Sequence, residues 1–207
     1  MINKKLSAKQ TELIMTILGI LLTGTGNGIL RWIAWGTDPY SCMNIGLSNA
    51  VPFSFGTTQL FVNLMLLALQ VGLLRKSIGI GTVINLVCMG YLSDGVLYVV
   101  RLLNLPELLP LKVVLLAATI VLLGFAIALY STADMGIAPY DSVAVILAAR
   151  TRRSYRACRM LTDVFCVGIG FAFGSAVGVA TLAAALGTGP FVQLFSKRLT
   201  RKILAGA

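Results

Sequence analysis

Histidine is missing altogether from this chain of 207 residues. That removes Ser-His-Asp and Cys-His catalysis and the commonest protein metal ligand. Acidic residues are scarce as well: seven Asp and Glu stand against seventeen Lys and Arg, and only 12% of the chain is charged. Soluble domains carry roughly 25% charged residues, and no polar stretch here is long enough to fold as a separate soluble domain. The four cysteines, Cys42, Cys88, Cys158 and Cys166, are scattered and form no Cys-x-x-Cys pair. They supply neither a disulfide framework nor a metal motif, and read as small apolar fillers. No cofactor or metal is expected. With no recognisable nucleophile-base pair, the chain is not expected to be an enzyme.

What is present is apolar: 57% of the residues are hydrophobic. A membrane-spanning helix needs about 20 mostly apolar residues. Six segments qualify, at approximately 12–34, 57–74, 78–100, 112–133, 157–174 and 177–195. They must be helices, because an open strand in lipid leaves backbone groups unpaired. Long apolar runs such as Val113 to Leu123 also lack the alternation of a barrel strand. Residues 1–207 therefore read as a single integral membrane domain. Lys4, Lys5 and Lys9 precede an apolar run beginning at Leu13, and no small-residue cleavage site follows, so this run is expected to be a retained first helix.

The net charge of +10 is orientational. Lys4, Lys5 and Lys9, then Arg75 and Lys76, then Arg150, Arg152, Arg153, Arg156 and Arg159, then Lys197, Arg198, Arg201 and Lys202 all fall on one side of a six-helix plan. Arg31, Arg101 and Lys112 fall on the other. The positive-inside bias makes the first side cytoplasmic, with both termini inside. Nucleic acid is not an expected partner, since no module is present to carry it.

The chain also repeats itself. Gly36-Thr37-Asp38-Pro39-Tyr40-Ser41 aligns with Gly136-Ile137-Ala138-Pro139-Tyr140-Asp141 at an offset of 100. Gly24 with Gly124, Leu47 with Leu147, Ser54 with Ser154, Phe55 with Tyr155 and Asn63 with Asp163 follow the same offset. After one deletion Gly79, Thr82, Gly90 and Asp94 align with Gly178, Thr181, Gly189 and Gln193. Repeat 1 covers 12–103 and repeat 2 covers 112–198, each with three crossings. An odd number of crossings forces tandem copies into opposite orientations, an inverted repeat of the kind many secondary transporters use. Two shorter segments, about 41–52 and 141–149, follow the Gly-x-x-Pro-Tyr turns and read as broken or re-entrant half-helices.

The candidate solute-binding residues gather on these features. Asp38, Pro39 and Tyr40 form the first turn, and Pro139, Tyr140 and Asp141 the second. Proline breaks the helix and frees carbonyls, and a half-helix N-terminus attracts anions and polar groups. Asp38 and Asp141 either contact a ligand or merely cap the half-helices. Asn63 and Asp163 are symmetry mates near the starts of the helices that follow. Asp163 faces a central cavity, stays hydrated, or pairs with Arg159 one turn earlier. Asp94 lies deeper in helix three, where Arg31 is a possible neutralising partner. Asn27, Asn44, Asn85 and Gln70 read as interhelical polar contacts, and Gly24 with Gly28 and Gly170 with Gly174 as close-packing pairs.

The helix-one glycines leading into Gly36-x-Asp-Pro-Tyr40, the Phe55-Gly56-Thr57 entry to helix two, Ile78-Gly79-Ile80-Gly81-Thr82 and the Asp94-Gly95 ending of helix three carry a resemblance. Over about 12–198 the chain resembles the YczE/YyaS/YitT group of bacterial multi-pass membrane proteins. The resemblance implies a plasma-membrane location and no settled chemistry. The expected function is a small-solute transporter or permease of the bacterial cytoplasmic membrane, with its site between the repeats. A channel with half-helices and a non-transporting assembly factor or scaffold stay open. The expected partners are the lipid bilayer and an unidentified small solute, with a second copy or another membrane protein also open.

Overall fold

The computed structural model describes residues 8–206, with side chains placed over 9–199. Lys4 and Lys5, and the side chains of Arg201 and Lys202, lie outside the described residues. Within them the chain is all helical: α1 (Ala8–Ile33), α2 (Pro39–Ala50), α3 (Phe55–Leu73), α4 (Ile80–Leu102), α5 (Leu109–Ala133), α6 (Pro139–Thr151), α7 (Tyr155–Ala172) and α8 (Val179–Gly206). A single 3-10 turn, Arg75–Ser77, joins α3 to α4. The order long, short, medium, long occurs twice.

Local chemistry explains the boundaries. Asp38 caps α2 by accepting from the Ser41 N–H at 3.1 Å, and Pro39 follows in the first turn, where its missing N–H is no loss. Ser54 and Ser154, equivalent in the repeat, cap α3 and α7 by accepting from the N–H groups of Thr57 and Ala157. Inside α1 the hydroxyls of Thr16, Thr23 and Thr25 donate to carbonyls one turn back. A hydroxyl satisfied in this way sits in an apolar setting without an orphaned donor.

Five helices, α1, α3, α4, α5 and α8, are long and apolar enough to cross a membrane. The sixth expected span, α7, falls short of that class because Arg156, Arg159 and Asp163 lie within its 18 residues. The surface pattern inverts that of a soluble protein. Asn27, Asn44, Asn63, Gln59 and Gln70 are buried, while Met65, Phe171 and Leu186 are each more than 70% exposed. An outward apolar surface around buried polar groups is the arrangement lipid demands.

α1 and α5 pack against each other at the centre. α4 packs on α1 and α8 on α5, while α2 packs on α7 and α3 on α6. Gly24 and Gly28 admit α4: a Cβ on them would lie 2.7 Å from Leu92 Cβ and 2.6 Å from Val96 Cβ. Gly170 likewise lets α7 close on Cys42 and Gly46 of α2. Gly174, its expected partner in the motif, instead lies beyond the end of α7 with φ +77° and no backbone against it. The core between α1, α5 and α8 contains Leu30, Ile33, Leu116, Leu123 and Ala180.

Gly36 has φ +99°, and a Cβ there would collide with Thr181 Oγ1. Gly36→Ala is therefore expected to lose about 1–3 kcal/mol through backbone strain alone. Gly72 has open space around it, so Gly72→Ala should leave stability unchanged or slightly raised. Thermal unfolding of the two purified variants in detergent checks the contrast.

Candidate functional site

The two helix breaks have the same shape. α1 ends on Ala34 and α5 on Asp134, both left-handed at φ 61° and 49°. Gly36 and Gly136 then turn the chain again at φ +99° and +115°. Asp38 and Ala138 precede the prolines with nearly identical backbone angles, φ −59° and ψ 156° against φ −59° and ψ 143°.

The carbonyls that the two prolines release, Trp35 O and Met135 O, are already hydrogen-bonded within the protein, which corrects the expectation from proline chemistry. Met135 O accepts from Gly81 N at 2.8 Å, in the first turn of α4. Trp35 O accepts from Ala180 N at 3.0 Å, in the first turn of α8. Ile137 O accepts from Thr82 Oγ1 at 2.9 Å and Gln70 Nε2 at 3.3 Å, and Ile137 N donates to Ser77 O. The first N–H groups of a helix have no partner within it. Here each break supplies a carbonyl to a helix of the other half. Gly79 and Gly178 permit the approach, since a Cβ on either would meet the Met135 or Trp35 carbonyl.

Beyond the breaks, the starts of α2 and α6 bring Tyr40 and Tyr140 together. Their rings stack at 4.3 Å between centroids and 15° between planes. Both are buried, with Met43 and Cys166 beside them. Tyr40 donates its hydroxyl to Asn63 Oδ1 at 2.6 Å, and Tyr140 donates to Asp163 Oδ1 at 2.5 Å. The mates Asn63 and Asp163 thus hold mates Tyr40 and Tyr140. Each lies about 12 Å along its helix at 1.5 Å per residue.

Arg159 completes the second half of the network. It pairs with Asp141 through Nη1 and with Asp163 Oδ1 through Nε at 3.2 Å, and its guanidinium lies 4.4 Å from the Tyr140 ring centre. A planar cation over an aromatic face is attracted by the ring quadrupole. Asp141 is therefore an ion-pair partner and not the cap of α6, whose N-cap is Ala138 with no side-chain bond. Of the alternatives for Asp163, pairing with Arg159 is observed, and the side chain also keeps 23% of its surface exposed. Arg159 is absent from the residues the sequence picks out for the site. Its alignment with buried Gln59 is the signal that was available, because a polar side chain recurring on one helix face is not explained by orientation.

The remaining candidate, Asp94, is engaged elsewhere. Its Oδ1 pairs with Arg31 Nη1 at 2.8 Å and its Oδ2 accepts from Gly56 N at 2.8 Å. Arg31 also donates to Ser93 Oγ and lies 4.1 Å from the Phe55 ring centre. This is a clasp joining α1, α3 and α4. Asn27 and Gln70 are interhelical contacts: Asn27 donates to Ser41 Oγ at 3.2 Å, and Gln70 to Ser77 Oγ at 2.9 Å. A concave surface of about 580 Å³ lies between α5 and α8, lined by apolar residues such as Ile120, Leu186 and Phe191, and none of the candidate residues lines it.

Residues 10–197 match a family described as a family of unknown function, DUF6198. An uncharacterized protein of Haemophilus influenzae is 24% identical over 94% of this chain and 88% of its own length. The uncharacterized protein YyaS of Bacillus subtilis is 23% identical over 91% of this chain and 94% of its own. No solved structure matches the chain.

Removing Arg159 leaves Asp141 and Asp163 without their cation. Their side chains and that of Arg159 keep between 23% and 36% of their surface exposed, so the loss falls below that for a fully buried pair. Arg159→Ala should cost about 1–3 kcal/mol. Arg159→Lys should not restore it, because a point charge cannot face two carboxylates and a ring as a planar fork does. The exposed Arg156→Ala is the control. Thermal unfolding in detergent reads all three.

Proposed function

We propose, from the premise that the chain belongs to the DUF6198 family and carries membrane-spanning helices, that it is a small-solute transporter. It works in the bacterial cytoplasmic membrane as two inverted three-span repeats with a site between them. The observation that carries this reading is the meeting of the two half-helices. A stacked tyrosine pair, one half bonded to Asn63 and the other to the Asp163–Arg159–Asp141 group, sits buried inside an apolar exterior. Ionisable groups enclosed by membrane helices are costly and mark pathways and binding sites. Broken helices meeting between repeats are where secondary transporters bind their cargo.

The sixth crossing is α7, and its charges support that assignment. Arg159 and Asp163 turn toward Tyr140 and Asp141, together with Cys158, Cys166 and Gly170. Met160, Leu161, Val164 and Phe165 turn outward, each 60% to 69% exposed. A helix with a polar inner face and an apolar outer face suits lipid outside and a polar site inside. With six crossings, Arg75, Lys76 and the arginines from Arg150 to Arg156 share the side of both termini, which the positive-inside bias makes cytoplasmic. The reading is of a carrier and not an enzyme.

Reconstitution into liposomes and a screen of labelled amines, amino acids, sugars and carboxylic acids tests the reading. At least one solute is expected to enter with saturable kinetics and to exchange with unlabelled solute inside. Asp163→Asn and Tyr140→Phe should lower its initial uptake about tenfold, the loss of one transition-state or binding contact of about 1.4 kcal/mol. Uptake unaffected by either variant removes the tyrosine pair from the path. Linear flux without exchange makes the protein a channel. Reporter fusions at the two termini should both report the cytoplasm.

A further inference from the structure

Asp38 carries a charge that the turn does not need. Its mate Ala138 makes the same turn with the same backbone angles and no side-chain cap. Where a cap is wanted, serine or asparagine serves as well as aspartate. Only one of the two carboxylate oxygens is used: Oδ1 accepts from Ser41 N, while Oδ2 is buried with no hydrogen-bond partner. No arginine or lysine forms an ion pair with it among the described residues. The cation it senses, Arg159, is already committed to Asp141 and Asp163.

The surroundings reinforce the imbalance. Asp38, Asp141 and Asp163 contribute three carboxylates against the single guanidinium of Arg159. The Asp141–Arg159–Asp163 group keeps partial exposure, so water shares its charge, but Asp38 Oδ2 has none. Asn44, fully buried six residues further along α2, also carries an unpartnered oxygen. Its Nδ2 donates to the Tyr40 carbonyl at 2.8 Å, which fixes its Oδ1 as an acceptor, and that oxygen also has no donor. The other titratable groups that sense Asp38 are Tyr40 and Cys42 on α2 and Asp163 and Cys166 on α7. None of them brings a positive charge. A buried carboxylate with no ion-pair partner is expensive even at a helix N-terminus, and its unused oxygen suits a cation or a proton.

We propose that Asp38 is the binding site of one monovalent positive charge, a proton or an alkali cation, taken up on Oδ2 at the first helix break. This rests on the transport reading, for which it names the coupling ion. A proton converts the carboxylate to the neutral acid, which removes the buried charge. An alkali cation instead takes oxygen ligands directly, and Asp38 Oδ2 is unoccupied by any donor.

The test uses the full-length protein in liposomes and needs neither a solute nor flux. Infrared difference spectra at neutral pH compare wild type with Asp38→Asn in buffer whose only cation is choline. A carboxylic acid C=O band present in wild type and lost in the variant identifies the charge as a proton. Where that band is absent, Na⁺ or K⁺ is titrated against thermal unfolding. A saturable rise in Tm in wild type, lost in Asp38→Asn, identifies an alkali cation. Asparagine keeps the cap of α2, so a lost response is not a lost fold, and an unchanged Tm of the variant in choline verifies this. Absence of both signals overturns the proposal. So does a response that survives Asp38→Asn and disappears in Asp163→Asn, which places the charge on the Arg159 group. A protein that takes up the ion but moves no solute sinks the transport reading and leaves this site standing.

Discussion

A break in a helix inside a nonpolar slab survives only if the freed N–H and C=O groups find partners in the protein. Here the second break takes one bond from its own half, Tyr130 Oη to Gly136 O at 2.9 Å, and both breaks rely on the other half. Met135 O, from the second break, receives Gly81 N at the start of α4, and Trp35 O, from the first, receives Ala180 N at the start of α8. The exchange needs backbone against backbone. That explains glycines at 36 and 136, where the chain turns at positive φ, and at 79 and 178, where the incoming carbonyl leaves no room for a Cβ. The positions of Asp38, Tyr40, Tyr140 and Asp141 follow from this reciprocal tie, because it fixes where α2 and α6 begin.

On that frame equivalent positions carry different chemistry. Asn63 and Asp163 each accept a tyrosine hydroxyl, so the geometry is shared, but only the second mate is ionisable. Gln59 stands where Arg159 stands, Ser41 where Asp141 stands, and Ala138 where Asp38 stands. The charged groups of the second half compensate one another. The first half keeps one carboxylate alone. A duplicated frame permits this division of labour, since the packing that holds the tyrosine pair does not depend on which mate bears a charge.

The apolar segments, the duplication and the paired turns were readable in the sequence because each is a local pattern: length, offset, and glycine-proline punctuation. Ser54 and Ser154 align in the repeat, but that they cap α3 and α7, two residues ahead of the starts expected at 57 and 157, shows only in the fold. What was not readable is pairing across the halves. The proline-freed carbonyls looked available, yet helix N-termini distant in sequence claim them. Arg159 looked like one of five orientation charges, and only the fold shows it facing inward while Arg156, three residues earlier, faces out. Asp94 is the contrary case, because the partner expected from the sequence, Arg31, is the one it has.

That partner also separates the two halves mechanically. Arg31, Asp94 and the Gly56 N–H join α1, α3 and α4, and Gly56 lies against Gly90 where α3 and α4 meet. In the second half the same positions are Ser131, Gln193, Arg156 and Gly189. No ion pair forms among them, and a long charged side chain replaces the glycine at the crossing. The consequence is visible in the packing: α3 and α4 are in contact, α7 and α8 make no comparable contact, and a Cβ on Gly189 would meet open space. α8 therefore rests chiefly on α5 and on the Trp35 carbonyl at its first turn. Helices held by few buried contacts open at lower free energy than those held by many. Of the two halves, the second is accordingly the looser, and it is the half whose α6 and α7 hold the Arg159 group.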